Sequence, residues 1–398
     1  MSDALLAGWF LTAPRQGAWR ASDMVKCLDS GLFPGGATIP QTVYGIRCNA
    51  AGTMIAYAHA DSPYLTVINT TTGAAETLTG GNPGNTTYCA AFTPDGSKLA
   101  VGHDGTPFVT VYNTSDWSKY TLTGGATAGS GYGVAFNHDG SLLVVAHNNS
   151  PFLTVYNTSD WSKVTITGGN PAARGRGCHF SHDGALLAVA HDSSPFLTVY
   201  NTADWSKVTL TGGNPAGTGR GCEFNHNKTL LAVAHDTTPF MTVYSVADWS
   251  KVTITGGNPG SNSNCAAFSA DGSKVAVGTN SSPFVTAYNT ADWSKITLLA
   301  ADQPANSVYG IDYTPASFIK SIAASGTEVV KDVDGIDAVR TVRAHLRTTG
   351  ALLAQTTSDV NGEFTIAPFL LKNEVQVVYL DDDAGTLQND LINRVLPG

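Results

Sequence analysis

Residues 132–169 read YGVAFNHDG-SLLVVAHNNS-PFLTVYNTSD-WSKVTITGG. Four short segments rich in Val, Thr, Tyr and Phe are each closed by turn-forming residues: Asp139-Gly140, Asn148 to Pro151, Asn157 to Asp160, and Gly168-Gly169. That pattern predicts four strands and four turns in one unit. In the third segment Phe152, Thr154 and Tyr156 fall on one face, and Leu153 and Val155 on the other. Apolar side chains on both faces predict a sheet that is covered on both sides.

The unit repeats. Its Ser/Thr-Pro-Phe/Tyr proline recurs at Pro63, Pro107, Pro151, Pro195, Pro239 and Pro283, always 44 residues apart. Phe92, Phe136, Phe180, Phe224 and Phe268 keep the same step, as do Trp117, Trp161, Trp205, Trp249 and Trp293. A strict period over six units predicts a repeat architecture. Four-stranded units packed face to face around an axis make a β-propeller, so the expected fold class is all-β.

The units resemble those of the WD-repeat propeller family. Phe136-Asn-His-Asp-Gly140 and Phe92-Thr-Pro-Asp-Gly96 match that family's Phe-Ser-Pro-Asp-Gly turn, and Tyr156-Asn157 stands where it has Trp-Asp. The family's Gly-His signature is replaced by Gly-Gly-Asn-Pro, so its Asp–His–Ser/Thr–Trp hydrogen-bond set is not carried over. The resemblance covers about residues 43–322. Val308-Tyr-Gly-Ile311 echoes Val43-Tyr-Gly-Ile46 and opens a seventh unit that stops after two strands. Leu5–Leu28 is expected to supply the missing outer pair, its Ser22-Asp23 echoing Ser115-Asp116. Closing a ring with strands from both termini removes exposed edges. The expectation is a seven-bladed β-propeller, six 44-residue blades plus one composite closing blade. Six blades with a packed N-terminal arm is the alternative.

Near residue 325 the composition changes. Charged residues number 36 in the first 325 positions and 17 in the last 73. Two domains follow: a propeller over 1–325 and a small C-terminal β-sandwich over 326–398. Alternating segments at Arg340–Arg347, Leu352–Thr357, Gly362–Ala367 and Val375–Leu380 predict its strands. The tail resembles transthyretin-like or carboxypeptidase-regulatory sandwich modules through Thr341-Val-Arg-Ala-His-Leu-Arg347 and Thr357-Ser-Asp359 with Gly362-Glu-Phe364. Val378-Tyr-Leu-Asp-Asp-Asp-Ala-Gly385, with Asn389-Asp-Leu-Ile392 and Arg394-Val395, is similar to the C-terminal module of many tailed-bacteriophage structural proteins.

Across the 398 residues, 31 acidic and 22 basic side chains leave a net charge of −9, with no basic run. That disfavours nucleic acid as a partner. No apolar run approaches the roughly 18 residues of a spanning helix, so membrane insertion is not expected. Ala4–Thr12 is apolar but short and follows Asp3, where a secretory signal would carry Lys or Arg. The six cysteines match no zinc spacing and are expected as free thiols, not a disulfide framework.

Candidate binding residues gather on one rim. His59, His103, His147, His191 and His235 each precede the repeat proline by four, and Asp104, Asp192 and Asp236 follow three of them directly. Neighbouring blades hold such residues too far apart to share one metal ion, so each His is expected to bond its own turn. The alternative is a ring of equivalent weak contacts to a partner or glycan. Arg174, Arg176 and Arg220 form a small cationic spot suited to a carboxylate, an acidic sugar or an acidic partner, or else are simply solvated. The repeat tryptophans are expected to pack blade edges, with sugar stacking as the rival. Lys119, Lys163, Lys207, Lys251 and Lys295 are expected to neutralise the repeat aspartates. Asp381, Asp382 and Asp383 are read as a solvated acidic turn, with calcium as the rival.

No nucleophile, phosphate-loop or dinucleotide motif appears, and Glu76 and Glu223 are the only glutamates before residue 325. A non-enzymatic protein with no metal site and no cofactor is expected. The tail resemblance implies a structural or host-attachment protein of a tailed bacteriophage, tail-associated and assembled into the virion in the host cytoplasm. Implied partners are other virion proteins, copies of itself, and a host surface glycan or receptor. A sugar- or protein-binding bacterial propeller scaffold is the alternative.

Overall fold

The computed structural model describes residues 43–69, 72, 74–269, 271–297 and 307–312, and the backbone of residue 313 and of strands Trp9–Thr12, Trp19–Arg20, Lys320–Ala324, Thr341–Leu346, Leu352–Thr357, Phe364–Phe369, Val375–Leu380 and Leu391–Val395. Among the described residues every regular element is a strand, and no helix is long and apolar enough to cross a membrane. The fold is an all-β propeller built on six repeated small sheets.

Each unit is an antiparallel meander. In the third it runs Gly131–Phe136, Leu142–His147, Leu153–Asn157 and Lys163–Val164. The fourth strand is always short: two residues in the third and sixth units, a single bridge such as Tyr112 with Lys119 elsewhere. The middle strand is the most buried, because both of its faces meet neighbouring sheets. Val144 and Ala146 pack with Cys178, Phe180, Leu187, Val189 and Trp205 of the next unit. The strand propensity of these β-branched residues and their two-sided burial act together.

Adjacent units are also clasped at the Gly-Gly turn, followed by Ala126 in one unit and Asn elsewhere. The Gly124 N–H donates to the Trp161 carbonyl at 2.9 Å, the Tyr156 hydroxyl to the Gly125 carbonyl at 2.7 Å, and Lys163 Nζ to the Ala126 carbonyl at 2.7 Å. The same three donors recur one unit on at Gly168, Tyr200 and Lys207. The tryptophans hold φ near +59°, a left-handed conformation that L residues with bulky side chains rarely adopt. The following chain segment turns back there, and burial of the indole offsets the conformational cost.

A further sheet joins Trp19–Arg20, Trp9–Thr12 and Ile311–Tyr313 in that order, with Phe10 opposite Tyr313. Strand Ile311–Tyr313 lies against the inner strands Val43–Cys48 and Ser263–Phe268. Ser22-Asp23 lies outside the described residues.

The chain divides into two compact units, residues 1–69 with 74–315, and 70–73 with 316–398. In the second, Lys320–Ala324 pairs with Phe364–Phe369. A four-stranded sheet runs Leu352–Thr357, Thr341–Leu346, Val375–Leu380, Leu391–Val395.

Candidate functional site

The five rim histidines are interior residues. His59, His103, His147, His191 and His235 end the middle strands and expose no surface. Each places Nε2 2.9–3.0 Å from a hydroxyl on the third strand of its own unit: Thr66, Thr110, Thr154, Thr198 and Thr242. Burial lowers the first four to about 4 and lowers His235 as well, so all five are neutral near pH 7. A ring of partner-facing imidazoles is therefore corrected to five internal strand-to-strand ties. In the sixth unit Thr279 replaces the imidazole, and its hydroxyl instead donates to the turn carbonyl of Ser281 or Pro283 at 2.9 Å.

The inner strands carry a feature with consequences for the channel. Every one of the six has a β-bulge at its second residue: Val43 pairs His59 and Gly45 pairs Ala58, leaving Tyr44 extra. Tyr88, Tyr132, Arg176, Arg220 and Asn264 are skipped in the same way. A bulge re-aims its extra side chain, and here all six line one mouth of the central channel together with Tyr309. The strands can crowd because their third residue is small. A Cβ on Gly133 would sit 2.9 Å from Gly177 Cα, and one on Gly177 3.0 Å from Gly221 Cα.

Around this mouth the side chains segregate. Tyr309, Tyr44, Tyr88 and Tyr132 form a continuous aromatic arc with ring centroids 5.9, 5.4 and 4.6 Å apart. The other half holds Arg176, Arg220 and Asn264. Each polar member answers the residue sixteen positions later, just after the buried His or Thr. Tyr88 donates to Asp104 at 2.6 Å, Arg176 pairs with Asp192, Arg220 with Asp236 at 3.6 Å, and Asn264 donates to Asn280 at 2.6 Å. Arg174 shares Asp192 at 2.7 Å and lies 5.5 Å from the Tyr132 ring centre. The expected cationic spot is thus an ion-paired edge, with a quarter to a third of each guanidinium side chain exposed.

Deeper in, the fifth inner-strand residue is Ala91, Ala135 or Ala267 in three units but Arg47, His179 and Glu223 in the others, with Asp312 alongside. Arg47 Nη1 lies 3.1 Å from Asp312 Oδ1, and Nη2 3.9 Å from Glu223 Oε2. Glu223 Oε1 also accepts the Phe268 N–H at 2.9 Å, and Asp312 Oδ2 the Cys48 N–H at 3.1 Å. Burial raises Glu223 to about 7, against the opposing pull of Arg47. Burial lowers His179 to about 3, with Arg47 adding to the effect, and its Nδ1 accepts the Phe224 N–H at 3.2 Å.

Glu223 and Asp312 of this cluster, with His179, line a cavity of about 650 Å³ on the opposite, Asp-Gly-turn rim. Its walls are Phe136, Phe180, Phe224 and Phe268. At its edge three exposed imidazoles from consecutive units meet at tilted angles, with ring centroids 4.1 Å apart for His138 and His182 and 3.7 Å for His182 and His226. Neither these residues nor the tyrosine arc emerges from motif reading. The available signal was divergence between units at fixed repeat positions, together with the sixteen-residue covariation at the bulge.

Other candidates resolve into scaffold. Trp117, Trp161, Trp205 and Trp293 are buried and Trp249 is half-buried, all at blade edges. The repeat lysines donate to turn carbonyls of the preceding unit, and the repeat aspartates are occupied locally; Asp160 accepts from the Ser162 N–H at 3.0 Å and hydroxyl at 2.7 Å. The expected Lys–Asp neutralisation is corrected accordingly: the lysine reaches back 37 residues instead. Cys48, Cys89, Cys178, Cys222 and Cys265 are free thiols, all pushed up by burial. Asp381, Asp382 and Asp383 lie outside the described residues. No group of three His, Cys, Asp or Glu among the described residues has the geometry to hold a metal ion.

No family model matches the chain, and no curated protein matches it in sequence. Its fold is similar to a solved structure of Kuenenia stuttgartiensis hydrazine synthase, with a TM-score of 0.56 and 14% identity over 72% of this chain and 92% of that one. At that identity the likeness shows the fold: the repeated sheets are those of a β-propeller.

Proposed function

We propose that the chain is a non-enzymatic structural or attachment protein of a tailed-bacteriophage virion, tail-associated, with the propeller as its binding platform. In this reading the ring has seven WD-like blades, closed by Trp19–Arg20, Trp9–Thr12 and Ile311–Tyr313. The C-terminal strands form the β-sandwich that docks the chain to other virion proteins or to copies of itself. The virion assembles in the host cytoplasm, with no part for nucleic acid or membrane insertion.

One observation supports a platform above all. Units that are near copies in their shell differ where side chains face the channel: Tyr, Arg or Asn at the bulge, and Ala, Arg, His or Glu three residues on. A fixed scaffold with variable lining suits recognition of a host surface glycan or receptor. The phage assignment itself draws on the resemblance of the tail around Val378–Gly385 and Asn389–Val395. Mass spectrometry of purified particles should find this chain in stoichiometric amount, and deleting residues 1–325 should abolish adsorption to the host. Particles lacking the chain would end this reading.

A further inference from the structure

The bulge-side mouth presents charge of one sign to the channel. Arg176 and Arg220 line it near the rim and Arg47 lines it at depth, and no carboxylate stands among its described lining residues. The aspartates that answer the two rim arginines, Asp192 and Asp236, lie outside that lining. Their hold on the guanidiniums is incomplete. Asp192 is shared by Arg174 and Arg176, and both of its oxygens are used there. Arg176 meets it through Nε and Nη2, which leaves the N–H groups of Nη1 uncommitted. Arg220 touches Asp236 only through Nη2 at 3.6 Å, and its Nε is buried with no hydrogen-bond partner among the described residues. A buried donor left unpaired in a native fold calls for an explanation.

The aspartates do not supply it. In the second unit the same position holds Asp104, and the Tyr88 hydroxyl satisfies it at 2.6 Å. A guanidinium is more than such a carboxylate needs. Arg176 and Arg220 are also neighbours: a Cβ on Gly177 would lie 3.1 Å from the Arg220 carbonyl oxygen, so the two bulges sit on closely packed strands. Across the mouth from them stands the tyrosine arc. The six bulge positions hold only Tyr, Arg and Asn, planar groups with polar edges, and no aliphatic side chain. The mouth encloses about 120 Å³, room for several waters and so for one end of a ligand.

We propose that this mouth binds an acidic sugar, a uronic acid unit, by its carboxylate end. The carboxylate would accept from Arg220 and Arg176, whose forked donors match its two oxygens. The C–H face of the pyranose would lie against the tyrosine rings, and its hydroxyls would meet phenol oxygens and Asn264. A neutral sugar would gain the rings alone, and a bare carboxylate the guanidiniums alone. The inference rests on the platform reading above, for which it names the ligand class.

The test is isothermal titration calorimetry of the full-length chain at pH 7 with methyl β-D-glucuronide, methyl β-D-glucoside and acetate. The glucuronide should bind saturably, about tenfold or more tighter than the glucoside, the worth of one charge-assisted hydrogen bond. Acetate should be several-fold weaker than the glucuronide. Added salt should weaken the glucuronide and leave the glucoside unchanged. Arg220→Gln should erase the preference for glucuronide over glucoside. If that variant does not fold, Arg176→Gln should weaken glucuronide binding several-fold, since Arg174 still holds Asp192. Equal affinity for the two sugars, acetate as tight as the glucuronide, no saturable binding of any probe, or an unchanged preference in a folded variant would each overturn the proposal. Loss of adsorption on deleting residues 1–325, without glucuronide binding, would keep the platform and remove this ligand. Glucuronide binding by a chain missing from purified particles would keep the ligand and remove the phage reading.

Discussion

Tyr200 and Arg176 sit in the same unit and follow opposite rules. Tyr200 has an identical counterpart in each of four other units, Tyr112, Tyr156, Tyr244 and Tyr288, all buried with the hydroxyl on a glycine carbonyl of the preceding unit. Arg176 stands where other units place Tyr or Asn, on a bulge that turns it into the channel mouth. Between-unit packing is met afresh at each neighbour pair, and five units meet it with the same tyrosine, with buried Ile68 in its place in the first. The channel is formed once by all the copies, and its lining is free to differ from unit to unit.

Substitutions in the two regions should separate accordingly. Trp205→Ala should be the most damaging, about 3–5 kcal/mol in urea unfolding, because it empties the packing between two sheets. A loss under about 1 kcal/mol would mean the indole merely covers an edge.

The buried histidines should dominate the acid limb. Their folded pKa values, near 4 for His59, His103, His147 and His191, lie below the unfolded value of about 6.5. The neutral form therefore contributes stability above pH 6.5 that is lost as pH falls towards 4. The slope is up to about 1.4 kcal/mol per pH unit for each histidine. Melting temperatures measured from pH 7 to 4 should fall steeply in that window, and a flat profile would contradict neutral, buried rings.

Thr198→Val removes the hydroxyl from His191 and should cost about 1–3 kcal/mol, the penalty of an unsatisfied buried group. Arg176→Gln should be mildest, under about 1 kcal/mol. That side chain is partly exposed, and Arg174 remains to hold Asp192. If Arg176→Gln were as costly as Thr198→Val, the division between fixed shell and free lining would fail.

The 44-residue repeat makes the shell legible in the sequence. A 44-residue step in Pro, Phe and Trp carries both the strand count and the two-sided burial, because both are local consequences of a pattern seen six times. The site was less legible for a physical reason. His147 and its equivalents attract notice through their repetition, yet repetition marks what the scaffold needs, and they are strand ties. Arg47, Glu223 and Asp312 are remote in sequence and meet only across a closed ring, so no window of sequence holds them together. The bulge was equally hidden, since its extra residue continues the strand pattern and only the pairing register exposes it. The sixteen-residue match of Arg176 with Asp192 and Asn264 with Asn280 is the one trace of it in the sequence.

The clasp at the Gly-Gly turn bears on how such a gene can change length. All three hydrogen bonds that hold one unit's turn tie it to the next unit, at separations of 31 to 37 residues. Losing or gaining a whole 44-residue segment therefore leaves each surviving neighbour pair with its clasp intact, wherever the crossover falls. Only the circumference registers the change, at the join between Ile311–Tyr313 and the inner strands on either side. Recombination between copies is thus locally silent and globally counted, and the closing sheet is where the count is kept.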